Sequence, residues 1–439
     1  EVSLETISRS PRVAGDLGNI TDEFVTMSGR KVALAIYVEH GNEPNVAYAM
    51  DSLKRAMRWD EEAFGREYDL DIFVIVAVSD FNMGAMENKG LNVFNDKYVL
   101  ATPETATDAD YSHIEAVIAH EYFHNWTGNR ITCRDWFQLC LKEGLTVFRD
   151  QEFSSDMRSR PVKRIADVRG LRAAQFVEDA GPLAHPVRPQ AYREINNFYT
   201  ATVYEKGAEL VRMVQTLIGK EKFRAGMDLY FARHDGEAAT VEQFIQCFAD
   251  VSHRDMGQFL RWYAQAGTPE VTVASHYDAA AKTVTLHCKQ ALAPTPGQPV
   301  KQPMLIPLRL GLVGADGRDL PLTRDGKTSS DGVIELTEPA QRFVFTGVEE
   351  RPVLSINRGF SAPIKLVTDL SADDLAFLAA HDTDPFNRWQ ALQSIATRLL
   401  IDNVAAIRAG ETPASDDRLM VALAALIEDV KLEPAFVAL

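Results

Sequence analysis

The sequence predicts a multidomain α+β fold, with a mainly helical domain around a mixed β-sheet, then a small β-sandwich, then the start of an α-helical domain. At 439 residues the chain is longer than one hydrophobic core usually supports. Its hydrophobic periodicity is mixed at first, becomes two after about residue 267, and returns to helical spacing near residue 370. We therefore expect a remnant of a preceding segment at 1–16 and domains at 17–267, 268–369 and 370–439.

The first elements follow from apolar spacing. Residues 32–38 alternate between apolar and other positions, which predicts a strand with one buried face. Apolar positions recur at helical spacing over 44–64, with Gly65 as a stop. The continuous apolar run at 72–78 predicts a strand covered on both faces, and 84–94 is predicted to be extended.

Helices dominate the rest of this domain. Two are predicted at 111–126 and 136–153, joined by a break at 127–129. Further helices are predicted at about 203–218, 222–233, 241–252 and 255–266. Beyond residue 268 the runs around 284–288 and 306–312 have period two, which is typical of a β-sandwich. Ser371 and Asp374 predict a capping box where helices return.

Charge and composition exclude several partner classes. Lys and Arg number 46 against 62 Asp and Glu, a formal net charge of −16, whereas nucleic acids and anionic membranes bind basic surfaces. No apolar run approaches the ~18 residues that cross a bilayer, and the first residues lack the layout of a signal peptide. The four cysteines are scattered, so we interpret them as free buried thiols. We expect a cytoplasmic monomer without nucleic-acid or membrane partners.

An HExxH motif predicts a metal site. His120 and His124 share one helix face because they are four residues apart. With His113 and Val117 they form a stripe that we expect to point into the protein. Glu121 is offset from His120 by about 100°, so its carboxylate can serve as a general base without being a ligand.

The next predicted helix offers a third ligand. Glu143 follows the motif after 18 residues (125–142) and lies in the middle of an apolar stripe. A buried carboxylate without a partner is unfavourable, so Glu143 needs a cation or strong hydrogen-bond donors, and a zinc ion would satisfy it. His120, His124 and Glu143 are the ligand set expected of one catalytic Zn²⁺ per chain, which keeps a fourth position for water. Asp150, two turns further on, is predicted to orient a ligand histidine. The apolar stripe consists of Trp136, Leu139, Cys140, Val147 and Phe148.

Three motifs resemble a known family. They are GAMEN at 84–88, HEYFHNWTGNR from His120 with KEGLTVFRDQEF from Lys142, and NNFYTATVYEKGAEL around Tyr204. Together they resemble the gluzincin aminopeptidases of the aminopeptidase N type, most closely the bacterial alanyl enzymes, from about residue 16 to residue 400. The resemblance implies a thermolysin-like catalytic domain that removes the first residue from peptides with a free N-terminus. It also implies broad specificity, with Ala, Leu, basic or aromatic first residues.

The same resemblance implies roles for individual residues. In such enzymes GAMEN lies beside the zinc and pairs with substrate backbone, while its glutamate, here Glu87, binds the free α-amino group. Tyr204 corresponds to the tyrosine that stabilises the oxyanion, and Glu121 to the general base. Met83 is predicted to line the pocket for the first side chain, although a core methionine fits it equally. The implied substrate-binding residues are Met83, Gly84, Ala85, Met86, Glu87 and Asn88.

The sequence departs from full-length relatives at both ends. They begin with a large β domain that supplies a further polar residue for the substrate amine, and they finish with a long helical domain over the cleft. We expect both to be largely missing here. Metal binding should survive because all three ligands are present, whereas efficient catalysis and strict exopeptidase behaviour depend on the missing parts.

Other interpretations stay open at this point. A thermolysin-like endopeptidase shares HExxH with a distant glutamate; Glu87 argues against it, and a substrate with a blocked amino terminus would discriminate. The leukotriene-hydrolase branch of the same family adds epoxide chemistry as a side activity. A truncated form with little activity could act as a peptide-binding scaffold with a structural zinc. Glu121 and Tyr204 argue against that role, because a structural site usually closes with four protein ligands.

Overall fold

The computed structural model describes residues 12–329 and 332–439. The remnant predicted at 1–16 lies mostly outside the described residues. The helices are α1 Ala47–Phe64, α2 Asp108–Phe123, α3 Leu139–Met157, α4 Arg160–Ala180, α5 Gly207–Ile218, α6 Lys220–His234, α7 Val241–Ser252, α8 Arg261–Ala264, α9 Ala372–His381, α10 Pro385–Arg408, α11 Asp417–Glu428 and α12 Pro434–Val437. Among the described residues, no helix has both the length and the apolarity of a membrane span.

The strands have two to nine residues. They are β1 Gly18–Val25, β2 Lys31–Val38, β3 Ile72–Val78, β4 Ala85–Met86, β5 Leu91–Asn95, β6 Thr132–Cys133, β7 Ala238–Ala239, β8 Glu270–Asp278, β9 Thr283–Ala291, β10 Ile306–Val313, β11 Leu322–Arg324, β12 Lys327–Ser329, β13 Gly332–Leu336, β14 Ala340–Thr346, β15 Val353–Ile356 and β16 Lys365–Thr368.

Contacts divide the chain into two compact units. The first comprises the chain up to Arg158 together with Arg188–Met256, and the second comprises Ser159–Val187 and Gly257–Leu439. Helix α4, where the sequence analysis predicts no element, groups with the second unit. The domain boundaries predicted at 267 and 369 stay predictions.

The first unit contains the expected mixed sheet, in the order β1-β2-β3-β5-β4. Strands β2, β3 and β5 are parallel, and β1 and β4 are antiparallel to their neighbours. The buried apolar run of β3 suits its central place, since parallel strands are usually covered on both faces. The extended segment predicted at 84–94 is instead a short hairpin, because the chain reverses through Gly90 (φ 79°), a left-handed conformation that glycine adopts without strain.

Most predicted helices are present, with differences at their ends. Helix α1 ends at Gly65, which is left-handed (φ 66°). Helix α2 begins with a capping box between Thr107 and Asp110 and ends at Phe123, three residues before the predicted end. The prediction of a helix over 255–266 is wrong, since only the four residues of α8 are helical there. Phe259, Trp262 and Tyr263 are buried at helical spacing, but Phe259 lies in the turn at 257–260, before α8 begins.

The second unit carries the β-rich part and the last helices. Strands form a three-stranded sheet β13-β10-β15 and a six-stranded sheet β12-β11-β14-β9-β8-β16. Residues 306–312 form a strand as predicted, but β10 is buried along nearly its whole length and not on alternate residues. The predicted capping box opens α9: Asp374 N and Ser371 N each donate a hydrogen bond to the other residue's side chain.

Candidate active site

Two histidines converge at the end of helix α2. His124 caps the helix with helical dihedral angles, and its Nε2 lies 2.9 Å from His120 Nε2. The stripe predicted to point inward does so only at this end: His124 is buried, Val117 and His120 are partly buried, and His113 is exposed. The pair is therefore directed into the unit while the first turns of the same face reach solvent.

Glu143 on α3 completes a group of three ligand atoms. Its Oε2 lies 3.4 Å from His120 Nε2 and 3.2 Å from His124 Nε2, and its side chain is buried. Zinc bonds of 2.0–2.1 Å at tetrahedral angles separate neighbouring ligand atoms by about 3.4 Å. The spacing, the burial and the nitrogen and oxygen donors all fit a zinc ion.

Hydrogen bonds at the far side of each ring orient the two histidines. Asp150 Oδ2 lies 2.7 Å from His120 Nδ1, in the orienting position predicted for it. His124 Nδ1 lies 2.9 Å from the Thr127 carbonyl and 3.2 Å from Thr146 Oγ1. Burial opposes protonation of His120, but its bonds to Asp150 and Glu143 outweigh this and raise its pKa. With both Nδ1 atoms occupied, both Nε2 atoms face the centre.

A close approach explains the glycine after this motif. A Cβ atom at Gly128 would lie 2.9 Å from His124 Nδ1, and the residue has φ 152°. Because this distance is shorter than real Cβ contacts, a side chain here would require His124 or the backbone of residue 128 to shift.

Glu121 has the environment of a general base. It is buried beside the two histidines, and within the described part of the chain its Oε2 has no hydrogen-bond partner. Burial raises its pKa to about 7. A carboxylate with a free oxygen and a pKa near neutrality is suited to proton transfer.

The GAMEN segment lies at the edge of the sheet. Among the strands of residues 12–329 and 332–439, β4 pairs only with β5, so its other side is an edge of the described sheet. Glu87 directly follows it, is buried, and has a carboxylate oxygen within 4.8 Å of ligand atoms of Glu121 and His124. Asn129 Nδ2 donates to the Glu87 carbonyl at 2.9 Å, which anchors the segment beside α2.

The other predicted substrate residues line the same stretch. The Gly84 carbonyl accepts from Asn95 N at 2.9 Å, and the Asn88 carbonyl accepts from Asn92 Nδ2 at 3.0 Å. Ala85 is partly buried. Met83 and Met86 are 52% and 39% exposed, which excludes the alternative of a core methionine at Met83.

Lys142 is a site residue that the sequence analysis did not single out. It is nearly buried, its Nζ donates to Glu87 Oε1, and it lies 3.0 Å from Glu143 Oε1. Burial alone would raise the pKa of Glu87, but Lys142 lowers it below its usual value. The signal was available: Lys142 precedes Glu143 in the quoted motif, and its charge borders an apolar stripe.

Tyr204 comes from a third helical segment. It lies in a single turn of π-helix, Thr202–Lys206, a conformation frequent at functional sites. A Cβ on Gly144 would lie 2.7 Å from the Gly207 backbone, so these two glycines allow α3 and α5 to touch. This contact brings Tyr204 into the electrostatic field of Glu143. The pKa of Tyr204 is raised mainly by burial and secondly by the negative charge of Glu143.

Residues 48–263 match the peptidase family M1 domain. This part of the chain, just under half of its length, is similar to the M1 peptidases. Residues 267–369 match a domain of unknown function with an Ig-like fold, and residues 372–439 match a domain of unknown function with ARM repeats. These matches confirm the predicted order of a peptidase domain, an Ig-like β domain and a helical domain.

The names of similar proteins agree with this match. The chain is 59% identical to an aminopeptidase N of Caulobacter vibrioides over 97% of its length and 48% of the relative. It is 53% identical to an aminopeptidase N of Escherichia coli over 97% of its length and 49% of the relative. The crystal structure of Legionella pneumophila aminopeptidase A in complex with aspartic acid superposes with a TM-score of 0.85 at 31% identity, covering 97% of this chain and 46% of that chain. The chain spans about half the length of the curated relatives it matches.

Proposed function

We propose that this chain is the catalytic part of a zinc-dependent aminopeptidase, which hydrolyses the first residue from peptides with a free N-terminus. The observation that carries the proposal is Glu121, a buried base with a free oxygen next to three converging ligand atoms and the carboxylate of Glu87. Three ligands with an adjacent base are typical of a catalytic zinc site. The names of the relatives at 59% and 53% identity support the same reaction.

His120, His124 and Glu143 would hold one zinc ion per chain, in a thermolysin-like arrangement on two helices. A bound zinc ion would supply Lewis-acid chemistry, polarising the scissile carbonyl and acidifying water. Asp150 keeps His120 in the tautomer that offers Nε2, and Thr127 does the same for His124.

Each of the remaining side chains has its own role in the reaction. Glu121 accepts the proton of the attacking water and passes it to the leaving amine. Tyr204 donates a hydrogen bond to the oxygen on which negative charge develops. Glu87 binds the α-ammonium group, which limits cleavage to the first peptide bond. Lys142 holds Glu87 and Glu143 in their ionised forms.

The GAMEN strand would position the peptide. The free edge of β4, at Ala85 and Met86, can pair with an extended substrate backbone, while the Gly84 carbonyl is bound to β5 and Asn88 supports the turn behind the strand. The exposed side chains of Met83 and Met86 offer a flexible apolar surface to the first residue. Such a surface suits a broad range of first residues, including Ala, Leu, basic and aromatic ones.

Four buried free cysteines favour a reducing compartment. We therefore place the protein in the bacterial cytoplasm, acting as a monomer on peptides. Gel filtration with light scattering would test the oligomeric state directly.

The proposal is tested with Glu121→Gln and a matched control, Asp108→Asn, an exposed carboxylate in the first turn of the same helix. Zinc content and hydrolysis of alanyl p-nitroanilide are measured for the parent chain and both variants. We expect Glu121→Gln to keep its zinc and lose activity ~10²–10⁴-fold, because the general base is gone. Asp108→Asn should match the parent.

Two further measurements distinguish a zinc aminopeptidase from an endopeptidase and from an inactive scaffold. A chelator should abolish the parent activity, and added zinc should restore it. The N-acetylated substrate should resist hydrolysis, because Glu87 has no ammonium to bind. Parent-level turnover by Glu121→Gln, or equal cleavage of the acetylated substrate, would show the assignment to be wrong.

A further inference from the structure

The second unit contains a cavity away from the residues discussed above. It has a volume of about 390 Å³, within the range of small-molecule sites. Its walls come from α4, β15, β16, α9 and α10. Most of the lining is aliphatic or aromatic, as with Leu354, Ile364, Leu375, Leu378 and Phe386. An apolar tail would therefore contact these side chains.

One charged group reaches into this apolar lining from α4. Arg172 Nη1 donates to Gln390 Oε1 at 2.5 Å, and the guanidinium carbon lies 5.0 Å from the ring centre of Phe360 and 5.9 Å from that of Phe386. Within residues 12–329 and 332–439, no carboxylate forms an ion pair with it. Burial, together with the charge of Arg164, lowers its pKa to about 10. The guanidinium thus carries a charge that the described protein leaves uncompensated.

The charges around the cavity have one sign. Arg172 and Lys365 are its two charged lining residues, and no acidic side chain lines it. This is unusual in a chain whose formal net charge is −16. A carboxylate would pair with the planar guanidinium through two hydrogen bonds, which is the geometry that arginine favours.

We propose that this cavity binds a small carboxylate with an apolar tail, whose head group pairs with Arg172 and whose tail occupies the aliphatic lining. Both a fatty acid and the C-terminus of a short apolar peptide have this chemistry. The site is independent of the metal ligands and of the proposed peptidase activity.

The test compares ligands that share a tail and differ in the head group. Binding of decanoate, decanol and decylamine to the whole chain is measured by isothermal titration calorimetry. We expect decanoate to bind at least tenfold more tightly than decanol, and decylamine to bind most weakly because it brings a second positive charge. Decanoate binding no tighter than that of decylamine would overturn the proposal.

Variants locate the head group and the tail. Arg172→Met keeps the length of the side chain and removes its charge, and should weaken decanoate binding about tenfold to a hundredfold while decanol is unchanged. Arg169→Met, an exposed arginine on the same helix, is the matched control and should bind like the parent. Unchanged decanoate binding to Arg172→Met would also overturn the proposal.

A second variant covers the case in which Arg172→Met does not fold. Ser394→Phe places a ring in the cavity and should abolish binding of decanoate and decanol alike. Retained binding would contradict the assignment. Titration with N-acetyl-leucyl-leucine, whose blocked amine prevents hydrolysis, then distinguishes the two sources: tighter binding than decanoate indicates a peptide C-terminus, and weaker binding indicates a fatty acid.

Discussion

A fully buried ion pair supports the segment that carries His124. Arg149 on α3 and Asp60 on α1 are both inaccessible to solvent and form an ion pair. Arg149 Nη1 also donates to the Phe123 carbonyl at 3.0 Å and to Thr127 Oγ1 at 3.2 Å. Since the Thr127 carbonyl orients His124, the guanidinium connects the core of the first unit to a proposed metal ligand.

Replacing Arg149 with Met leaves a buried carboxylate and two backbone or hydroxyl acceptors without their donor. Removing one partner of a buried ion pair typically costs ~3–5 kcal/mol. With a urea dependence of about 2–3 kcal/mol per molar, the unfolding midpoint should fall by about 1–2 M. The double variant Arg149→Met/Asp60→Leu should recover much of this loss, because an apolar pair of similar volume replaces a buried ion pair at little cost.

The assay is urea unfolding followed by tryptophan fluorescence, with zinc content measured after dialysis at limiting zinc. Arg134→Met, which removes an arginine side chain 61% exposed, is the control and should change stability by less than about 0.5 kcal/mol. The Arg149→Met variant should also bind zinc more weakly, since His124 loses support. A single variant within about 1 kcal/mol of the parent, or a double variant as unstable as the single one, would refute this account.

Three other predictions concern different contacts. Tyr204→Phe should keep zinc, and its kcat on an alanyl amide should fall ~10²–10³-fold, because the hydrogen bond to the oxyanion is lost. The control Tyr199→Phe should change kcat little. A parent-level kcat for Tyr204→Phe would show that Tyr204 does not stabilise the oxyanion. Lys142→Met should lower kcat/KM at least about tenfold because two buried carboxylates lose their shared cation, and Lys142→Arg should restore part of the loss; equal values for both variants would contradict this. The hydrogen bonds from Arg358 lower the pKa of Asp319 below 3.8, so its stabilisation is present above about pH 4 and is lost as pH falls through that lower pKa. Asp319→Asn should therefore be less stable than the parent at pH 7, and this difference in stability should shrink in urea titrations as the pH falls below 3.8. A difference that does not change with pH would disprove the pairing.

The spacing of residues along single helices was enough to predict which side chains form the proposed metal site. His120 and His124 share a face because the α-helix repeats every 3.6 residues, and Glu121 is offset for the same reason. Glu143 stood out because a carboxylate in an apolar stripe requires a partner. Strand β3 was evident from its continuous apolar run. These features depend on backbone geometry within one element, which the order of residues determines directly.

Contacts between distant segments were decided by the tertiary structure alone. Lys142 and Glu87 are 55 residues apart, and Arg149 and Asp60 are 89 residues apart. Periodicity cannot place such residues together, because their contact depends on how whole helices pack. The same limit explains the exposure of His113: a helical repeat defines a face, but only the neighbouring elements determine which part of that face is covered.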